Sequence, residues 1–229
     1  MVLLRSVRVR IDMGEYWQII LTSFQVCLSS SLIASLFAIP FGLWLGFSQN
    51  KLAKRLRPLV STLAGLPPVI AGVTIYLLLS NAGPFGSYRL LYTKTAIIIA
   101  QILIIFPLVS AAIYPLVLPI RNIFKETCLG LNLNRFTQFK LLVKELKTGL
   151  ISAYLLGFGR AMAEVGAVMM VGGNIRYKTR VMTTAIVLET NQGNYEMALI
   201  LGLVLLALSM GLNYLVQVSL KEHRYDPVS

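Results

Sequence analysis

Four stretches of this chain contain no charged residue and are long enough to cross a lipid bilayer. They are residues 16–50, 58–88, 95–120 and 197–220, and each exceeds the roughly 20 residues that a helical span requires. A fifth stretch, residues 148–175, is interrupted only by Arg160 and Glu164. Because lipid offers no partners for backbone polar groups, such spans must be helical. The sequence therefore predicts an all-α membrane protein with about five transmembrane helices, near residues 17–47, 58–80, 95–119, 149–171 and 197–218.

The charges lie between these stretches. The net charge of +12 would suit a nucleic-acid partner only if the basic residues shared one face, so we expect no nucleic-acid partner. Twelve Lys and Arg residues fall in the first loop, the third loop and the C-terminal tail. Eight fall in the N-terminal arm, the second loop and the fourth loop, or five if translation starts at Met13. The positive-inside rule then places the N-terminus outside and the C-terminus inside. We divide the chain into an N-terminal arm (1–15), one transmembrane domain (16–220) and a cytoplasmic tail (221–229).

Prolines interrupt several of the predicted spans. Pro67 and Pro68 remove two backbone donors at membrane depth, which is tolerated where neighbouring protein or a water-lined cavity satisfies the freed carbonyls. Pro40 lies in the first span, and Pro107 lies in the third. Broken helices of this kind favour a transport protein, and ordinary proline kinks are the alternative.

Arg160 and Glu164 are two charges on one apolar helix. A charge at the centre of a membrane helix costs about 2.5 to 3.5 kcal/mol on insertion scales, so the two side chains are expected to pair at their i, i+4 spacing. Gln101 and Asn213 are candidate additional partners. The pair either fixes helix packing or bridges elements that move when a pathway opens.

Small residues recur along the same helix. Gly149, Ala153, Gly157 and Ala161 form one row, and Gly159, Ala163 and Ala167 form a second. Small residues at this spacing let membrane helices approach closely. We expect the helix to be central. The rows serve packing within the chain, or line a homodimer seam or a pathway.

The predicted outer end of this helix carries two glycines and a basic loop. Gly173 and Asn174 suit a left-handed helix cap, and Arg176 begins a cluster with Lys178 and Arg180. The cluster either attracts an anion near the mouth or seats another protein. Residues 181–190 are too short to span, so we expect an outer helix or a partly re-entrant segment.

The segment 121–147, on the predicted inner side, has an apolar stripe at helical spacing. The stripe contains Leu129, Leu133, Phe136, Phe139, Val143 and Leu146. It predicts one amphipathic helix, or two short helices with a break near residues 131–134. An apolar stripe between spans needs a cover, which is either the bilayer surface or a groove on a partner protein.

One pattern in this segment is similar to a known family. Glu126-Thr127-Cys128, followed by Asn132 and then Arg135-Phe136, resembles the EAA loop of ATP-binding-cassette (ABC) importer permeases. In that loop Glu-Ala-Ala is followed by a glycine. Asn132 stands at the glycine position and is one of the few other residues that tolerate a positive φ.

Longer segments extend the resemblance. GLPPVIAGVTIYLLLSNAGPFG and RAMAEVGAVMMVGGNIRYKTRVMTTAIVLETNQGNYEMALILGLVLL are similar to oxyanion-importer permeases, and the second is most like the tungstate type. With WQIILTSFQVCLSSSLIASLFAIPFGLWLG added, the resemblance runs from Gly14 to about Gln217.

The resemblance implies a type I ABC importer permease fold and a multi-pass subunit of the prokaryotic cytoplasmic membrane. Such a subunit works as a homodimer by alternating access. Its expected partners are a cassette ATPase dimer on the cytoplasmic side, an extracellular or periplasmic anion-binding protein, and membrane lipid. Carried over by position, Glu126, Asn132, Arg135 and Phe136 would be the coupling residues that dock on the ATPase. The expected substrate is a tetrahedral oxyanion, tungstate first, with molybdate or sulfate as the alternative.

A membrane-embedded enzyme is the main competing class. It would need converging acid, base or metal-ligand groups, whereas membrane depth supplies only Arg160 and Glu164. We therefore expect no catalytic residue and no metal site. The sequence has no Gly-x4-Gly-Lys-Ser/Thr phosphate loop, so ATP and Mg²⁺ would be used by the partner ATPase and this chain would bind no cofactor. A structural or receptor-like membrane protein is the third class, although it has no need of broken helices.

Overall fold

The structure is a computed structural model that describes the backbone of residues 13–222 and the side chains of residues 14–214. The described residues form α-helices, one short 3-10 helix and connecting turns, with no β-strand among them. The helices are α1 (Met13–Phe47), α2 (Lys51–Ala64), α3 (Pro68–Leu79), α4 (Lys94–Val117), α5 (Arg121–Gly130), α6 (Arg135–Glu145), α7 (Lys147–Met162), α8 (Gly166–Gly172), α9 (Met182–Asn191) and α10 (Tyr195–Glu222).

Helices α1 and α4 run parallel and form the centre of the protein. Near the start of α4, Ser30 of α1 donates a hydrogen bond to the Gln101 Oε1 atom at 2.6 Å. Towards the ends of both helices, Gly46 faces Val117 so closely that a Cβ atom at residue 46 would overlap the valine side chain. Small residues thus permit close helix contact, as membrane helices require. Because α1 and α4 run in the same direction, the chain between them must return across the molecule.

Helices α2 and α3 make that return and are bent by 100° at the break between them. The predicted interruption at Pro67 and Pro68 is confirmed, and Pro68 begins α3. The charged residues 51–57 lie in α2, although the sequence analysis placed them in a loop. Leu52, Leu56 and Leu59 recur among these charges at helical spacing, which is the signal that favours a helix. Pro40 and Pro107, by contrast, lie inside continuous helices.

The fourth predicted span is two helices. Helix α7 ends at Met162, α8 begins at Gly166, and the two are bent by 59°. Helix α7 runs antiparallel to α4, with Gly157 facing Ile105 and Val109. Helix α8 continues along the first half of α4, where Gly172 faces Ile97. The expectation of a single unbroken helix over residues 149–171 is therefore wrong.

Within the part of the chain that the structure describes, three single helices, α1, α4 and α10, are long and apolar enough to cross a membrane, and the count rises to five if each bent pair is one span. We call the end of the molecule with the start of α1 the Glu15 end, and the opposite end the Phe47 end. Phe47 contacts Phe124 of α5, with ring centroids 5.7 Å apart, so the α5–α6 hairpin lies at the Phe47 end. The basic residues of this end are Lys51, Lys54, Arg55, Arg57, Arg121, Lys125, Arg135, Lys140, Lys144 and Lys147.

Candidate functional site

The break between α7 and α8 is organised by Glu164. Its side chain is only 3% exposed and lies 3.5 Å from Arg160, as predicted for this pair. The Glu164 Oε1 atom also accepts a hydrogen bond from the Ala167 backbone N–H at 3.1 Å, which satisfies one of the unpaired donors at the start of α8. The Glu164 backbone carbonyl accepts a bond from the Thr183 hydroxyl at 2.9 Å. One residue therefore links α7, α8 and α9.

Arg160 is more open than its partner, with 34% of its side chain exposed. The carboxylate of the pair therefore lies in the protein interior, and the guanidinium lies on a partly exposed face of α7. Gln101 and Asn213 form their hydrogen bonds elsewhere: Gln101 donates to the Ala161 carbonyl, and Asn213 donates to the Ser209 carbonyl. Neither of these two candidate partners is therefore hydrogen-bonded to Arg160 or Glu164.

Gln101 instead ties three helices together. Its Oε1 atom accepts the Ser30 hydroxyl bond, and its Nε2 atom donates to the Ala161 carbonyl at 3.1 Å and lies 3.8 Å from the Cys27 Sγ atom. Moving a buried amide whose oxygen and nitrogen are both hydrogen-bonded would leave polar groups unpaired in the interior, which is unfavourable in free energy. This side chain fixes α7 against the α1–α4 pair immediately before the break.

A small cavity lies between the Glu164 break and this amide. Ser23, Gln101, Glu164 and Thr183 contribute polar side chains to its wall. Its volume, about 10 Å³ for the centre of a water molecule, is close to what one buried water needs. A polar space of that size at membrane depth is consistent with hydration of the break and is too small for a tetrahedral oxyanion.

Helix α9 covers the break from the Glu15 end. It occupies Met182–Asn191, which overlaps the segment 181–190 predicted as an outer helix or a re-entrant piece, and its first turn is buried. The Met182 backbone N–H donates to the Ser23 hydroxyl of α1 at 2.7 Å. The hydroxyls of Ser23 and Thr183 thus anchor α9, a role that the sequence analysis did not identify.

The small residues of α7 divide into two groups. Gly157 lies in the packed interface with α4, whereas a Cβ atom at Gly159 would meet no atom within 4 Å. Ala163, in the same row as Gly159, is exposed. The first row therefore packs α7 within this chain. The second row divides, because Gly159 and Ala163 lie on the open face that also carries Arg160, whereas Ala167 is buried against α3.

Substituting these two glycines should separate packing from any other role. A Cβ atom at residue 157 would lie 2.7 Å from Val109 Cγ2 and 2.9 Å from Ile105 Cγ2, so Gly157→Val should destabilise the purified protein by about 1 to 3 kcal/mol. Gly159→Val should leave the melting temperature unchanged. Thermal unfolding in detergent checks both variants, and equal melting temperatures would contradict the assignment.

The loop after α8 is compact and bonded to α1. Gly173 has a φ of 67° and donates its N–H to the Met169 carbonyl, which confirms the predicted left-handed cap. Asn174 follows with a φ of 49°. A side chain at residue 173 would also meet the ring of Tyr92. A hydrogen bond with Tyr76 raises the pKa of the Tyr92 hydroxyl above its ordinary value.

Arg176 in this loop is already engaged by an acidic residue. Its guanidinium lies 2.6 Å from Glu15 Oε2, and Arg180 lies 2.7 Å from Glu15 Oε1. Glu15, which the sequence analysis placed in the N-terminal arm, is part of α1. The contact ties the start of α1 to the loop between α8 and α9 and offsets part of the loop's positive charge.

The α5–α6 hairpin presents an exposed surface at the Phe47 end. The segment is two short helices with a break at residues 131–134, the second of the two predicted alternatives. Glu126, Asn132, Arg135 and Phe136 are all exposed, and 78% of the Phe136 side chain is accessible. The predicted stripe is not buried as a unit, because Leu129 and Phe139 are also exposed, whereas Leu133, Val143 and Leu146 are half-buried. The surface therefore has apolar groups that the described residues leave uncovered.

Asn132 shapes the break in this hairpin. Its φ is 46°, so the asparagine at the expected glycine position has the left-handed conformation that a glycine would adopt. Its N–H donates to the Leu129 carbonyl at 3.1 Å. Helix α6 begins at Arg135, and the side chain of Asn134 caps its start by accepting a hydrogen bond from the Thr137 N–H.

This geometry gives a prediction for residue 132. Asn132→Gly should preserve the hairpin, whereas Asn132→Val should destabilise it by about 1 to 2 kcal/mol, because a β-branched residue is strained at positive φ. Limited trypsin digestion at Arg135 is the measurement, and the valine variant should be cut faster than wild type. Equal rates for the glycine and valine variants would contradict the conformation assigned here.

An all-α membrane protein with two bent helix pairs among its spans and an exposed hairpin at its more basic end has the organisation of a transport subunit. Comparison with known proteins makes the class specific. The chain belongs to the family of binding-protein-dependent transport system inner membrane components, whose model matches residues 38–222. It is therefore a permease subunit of the ABC importer class, a multi-pass protein of the prokaryotic cytoplasmic membrane.

Three relatives show where the chain lies within the family. It is 38% identical over 202 residues to the tungstate uptake system permease protein TupB of Peptoclostridium acidaminophilum, and the aligned region covers 88% of this chain and 89% of the relative. It is 39% identical over 172 residues to TupB of Campylobacter jejuni, covering 74% and 71%. It is 28% identical over 213 residues to the sulfate transport system permease protein CysT of Escherichia coli, covering 86% and 77%.

Proposed function

We propose that this chain is the membrane subunit of an ATP-driven importer of tetrahedral oxyanions, with tungstate as the substrate. The observation that carries the proposal is the similarity to two tungstate permeases, which is stronger than the similarity to the sulfate permease. The sulfate relative supports a second candidate, a sulfate or molybdate permease of the same architecture. The three anions share a tetrahedral shape and a double negative charge, so the fold suits each of them.

The proposed topology places the Glu15 end outside the cell and the Phe47 end in the cytoplasm. The Phe47 end carries Lys51, Lys54 and Arg55 of α2 together with the basic residues of α5 and α6. The basic residues of the Glu15 end are fewer, and two of them, Arg176 and Arg180, pair with Glu15. The positive-inside rule supports this orientation.

The proposed ATPase contact is the α5–α6 hairpin. Its side chains Glu126, Asn132, Arg135 and Phe136 are exposed at the end assigned to the cytoplasm. An exposed aromatic side chain flanked by charges is typical of an interface anchor. In this proposal a separate ATPase dimer uses ATP and Mg²⁺, and this chain binds neither.

The proposed pathway lies along the open face of α7 and α8, where two copies of the chain meet. Gly159 and Ala163 leave that face free of bulk, and Arg160 supplies a positive charge beside them. Gly157 holds α7 to α4, and Glu164 holds the break, so movement of the α7–α8 unit would open the pathway to one side at a time. The loop with Gly173, Asn174 and Arg176 forms the outer mouth and seats an anion-binding protein.

Uptake of the three anions tests the proposal. Cells with and without the gene are supplied with tungstate, molybdate or sulfate, and the accumulated metal or sulfur is measured by mass spectrometry. Loss of tungstate accumulation alone is the expected result. Loss of sulfate or molybdate accumulation instead would favour the second candidate, and no change for any of the three anions would overturn both.

A further inference from the structure

Helix α2 has three sides of different chemistry. Ala53 and Val60 are buried against the rest of the protein. Leu52, Leu59 and Leu63 form an exposed apolar side, with 58% of Leu52 and 52% of Leu59 accessible. A third exposed side, next to the leucines, carries the basic residues Lys51, Lys54 and Arg55. A helix with this distribution of residues is suited to the boundary between lipid and water.

The contacts of α2 show that it runs across the ends of its neighbours. Arg57 donates hydrogen bonds to the carbonyls of Leu45 and Ser48 at the end of α1, at 2.8 and 2.7 Å. The hydroxyls of Ser61 and Tyr114 are 2.9 Å apart, and Tyr114 lies in the last turn of α4. The two contacts on α2, one turn apart, thus reach the ends of two parallel helices.

The bend to α3 supports the same placement. The two helices are bent by 100°, and α3 packs beside Ala167 of α8 and the first half of α4. If α3 runs across the membrane with these neighbours, α2 lies nearly in the membrane plane. The exposed basic residues of α2, Lys51, Lys54 and Arg55, would also be costly in the hydrocarbon core.

We infer that α2 lies in the membrane–water interface at the Phe47 end and binds the headgroups of anionic phospholipids through Lys51, Lys54 and Arg55. Leu52, Leu59 and Leu63 enter the acyl region beneath. The charge complementarity between a basic helix and an anionic leaflet selects lipid as the occupant. Arg57 is excluded from the headgroup set because its guanidinium is occupied by the end of α1. The inference goes beyond the proposed function and does not depend on which anion is transported.

The depth of α2 tests the first half of the inference. An environment-sensitive fluorophore is attached at Leu59→Cys in the full chain reconstituted in vesicles, with Leu36→Cys near the middle of α1 as the deep control. Cys27 and Cys128 are buried, so the unsubstituted chain gives the labelling background. Lipids with a nitroxide near the headgroup should quench the label at residue 59 more strongly than lipids with a nitroxide at the chain end, and the order should reverse at residue 36.

Two results would overturn this placement. Quenching at residue 59 that follows the pattern of residue 36 would mean that α2 crosses the hydrocarbon core. A label at residue 59 that neither lipid quenches would mean that water or protein covers the leucines. If the fluorescence of that label then changed with added ATPase or with protein concentration, the cover would be a protein partner.

The charge of α2 tests the second half. The double variant K51Q/K54Q should bind less phosphatidylglycerol than wild type by about fivefold for each lysine removed, measured as lipid retained in native mass spectrometry from mixed phosphatidylglycerol and phosphatidylcholine vesicles. The matched control R89Q/K178Q removes two exposed basic residues from the Glu15 end and should retain wild-type binding. Equal losses in both double variants, or no loss in either, would overturn the headgroup assignment.

Discussion

Glu164→Ala should almost eliminate folded permease from the membrane. The substitution removes the acceptor of the Ala167 N–H and leaves Arg160 without its partner at membrane depth. Because 34% of the Arg160 side chain is exposed, the main cost is the buried Ala167 N–H left without an acceptor, about 1 to 3 kcal/mol, which is a substantial part of the 5 to 15 kcal/mol that stabilises a typical protein. The amount of full-length protein in purified membranes, measured by quantitative immunoblot, should fall at least about tenfold, and anion uptake should fall with it.

Glu164→Gln provides the matched control for that experiment. The glutamine carbonyl keeps an acceptor for the Ala167 N–H, so we expect the protein to accumulate near the wild-type amount. Uptake per molecule should still fall, because the charge that faces Arg160 is gone. Normal uptake by this variant would show that the pair is structural and has no part in movement, and normal accumulation of Glu164→Ala would contradict the role assigned to the buried carboxylate.

Phe136→Ala should leave the permease folded and weaken its binding to the proposed ATPase partner. The side chain is 78% exposed, so its removal costs the isolated permease little, whereas truncating an aromatic anchor of an interface typically costs 2 kcal/mol or more. The affinity for the purified ATPase, measured by surface plasmon resonance in detergent, should weaken about 30-fold. The melting temperature of the permease should not change.

Phe85→Ala is the control for Phe136→Ala. Phe85 is also an exposed phenylalanine, but it precedes the 3-10 helix Gly86–Tyr88, in the segment between α3 and α4. Its removal should not alter ATPase affinity. If both variants bind the ATPase like wild type, the α5–α6 hairpin is not the docking surface.

The sequence predicted the helices better than it predicted their interruptions. Uncharged runs reveal spans because lipid leaves the backbone no alternative to a helix, and Pro67 and Pro68 reveal a break because proline lacks a donor. The break after Met162 has no proline. Its residues are compatible with a continuous helix, and the Glu164 side chain takes the place of the missing helical acceptor, so only the tertiary structure shows it.

The candidate site shows the same division. The positive φ at Gly173 follows from residue type and was predicted, and the residue type of Asn132 made a positive φ there acceptable. The pairing of Glu15 with Arg176 and Arg180 joins residues more than 160 positions apart, and nothing local in the sequence indicates it. The charges of residues 51–57 suggested a loop because they lie outside the apolar run, although the leucines between them already favoured a helix.

The order in which the helices occur has a consequence for biosynthesis. The parallel α1–α4 pair and α7, which Gln101 ties together, are complete once residue 162 has been translated. The described part of α10 buries only Met197, Ala198 and Leu201. Since chains fold from the N-terminus as they are made, the last helix joins a bundle whose central three-helix contact does not require it.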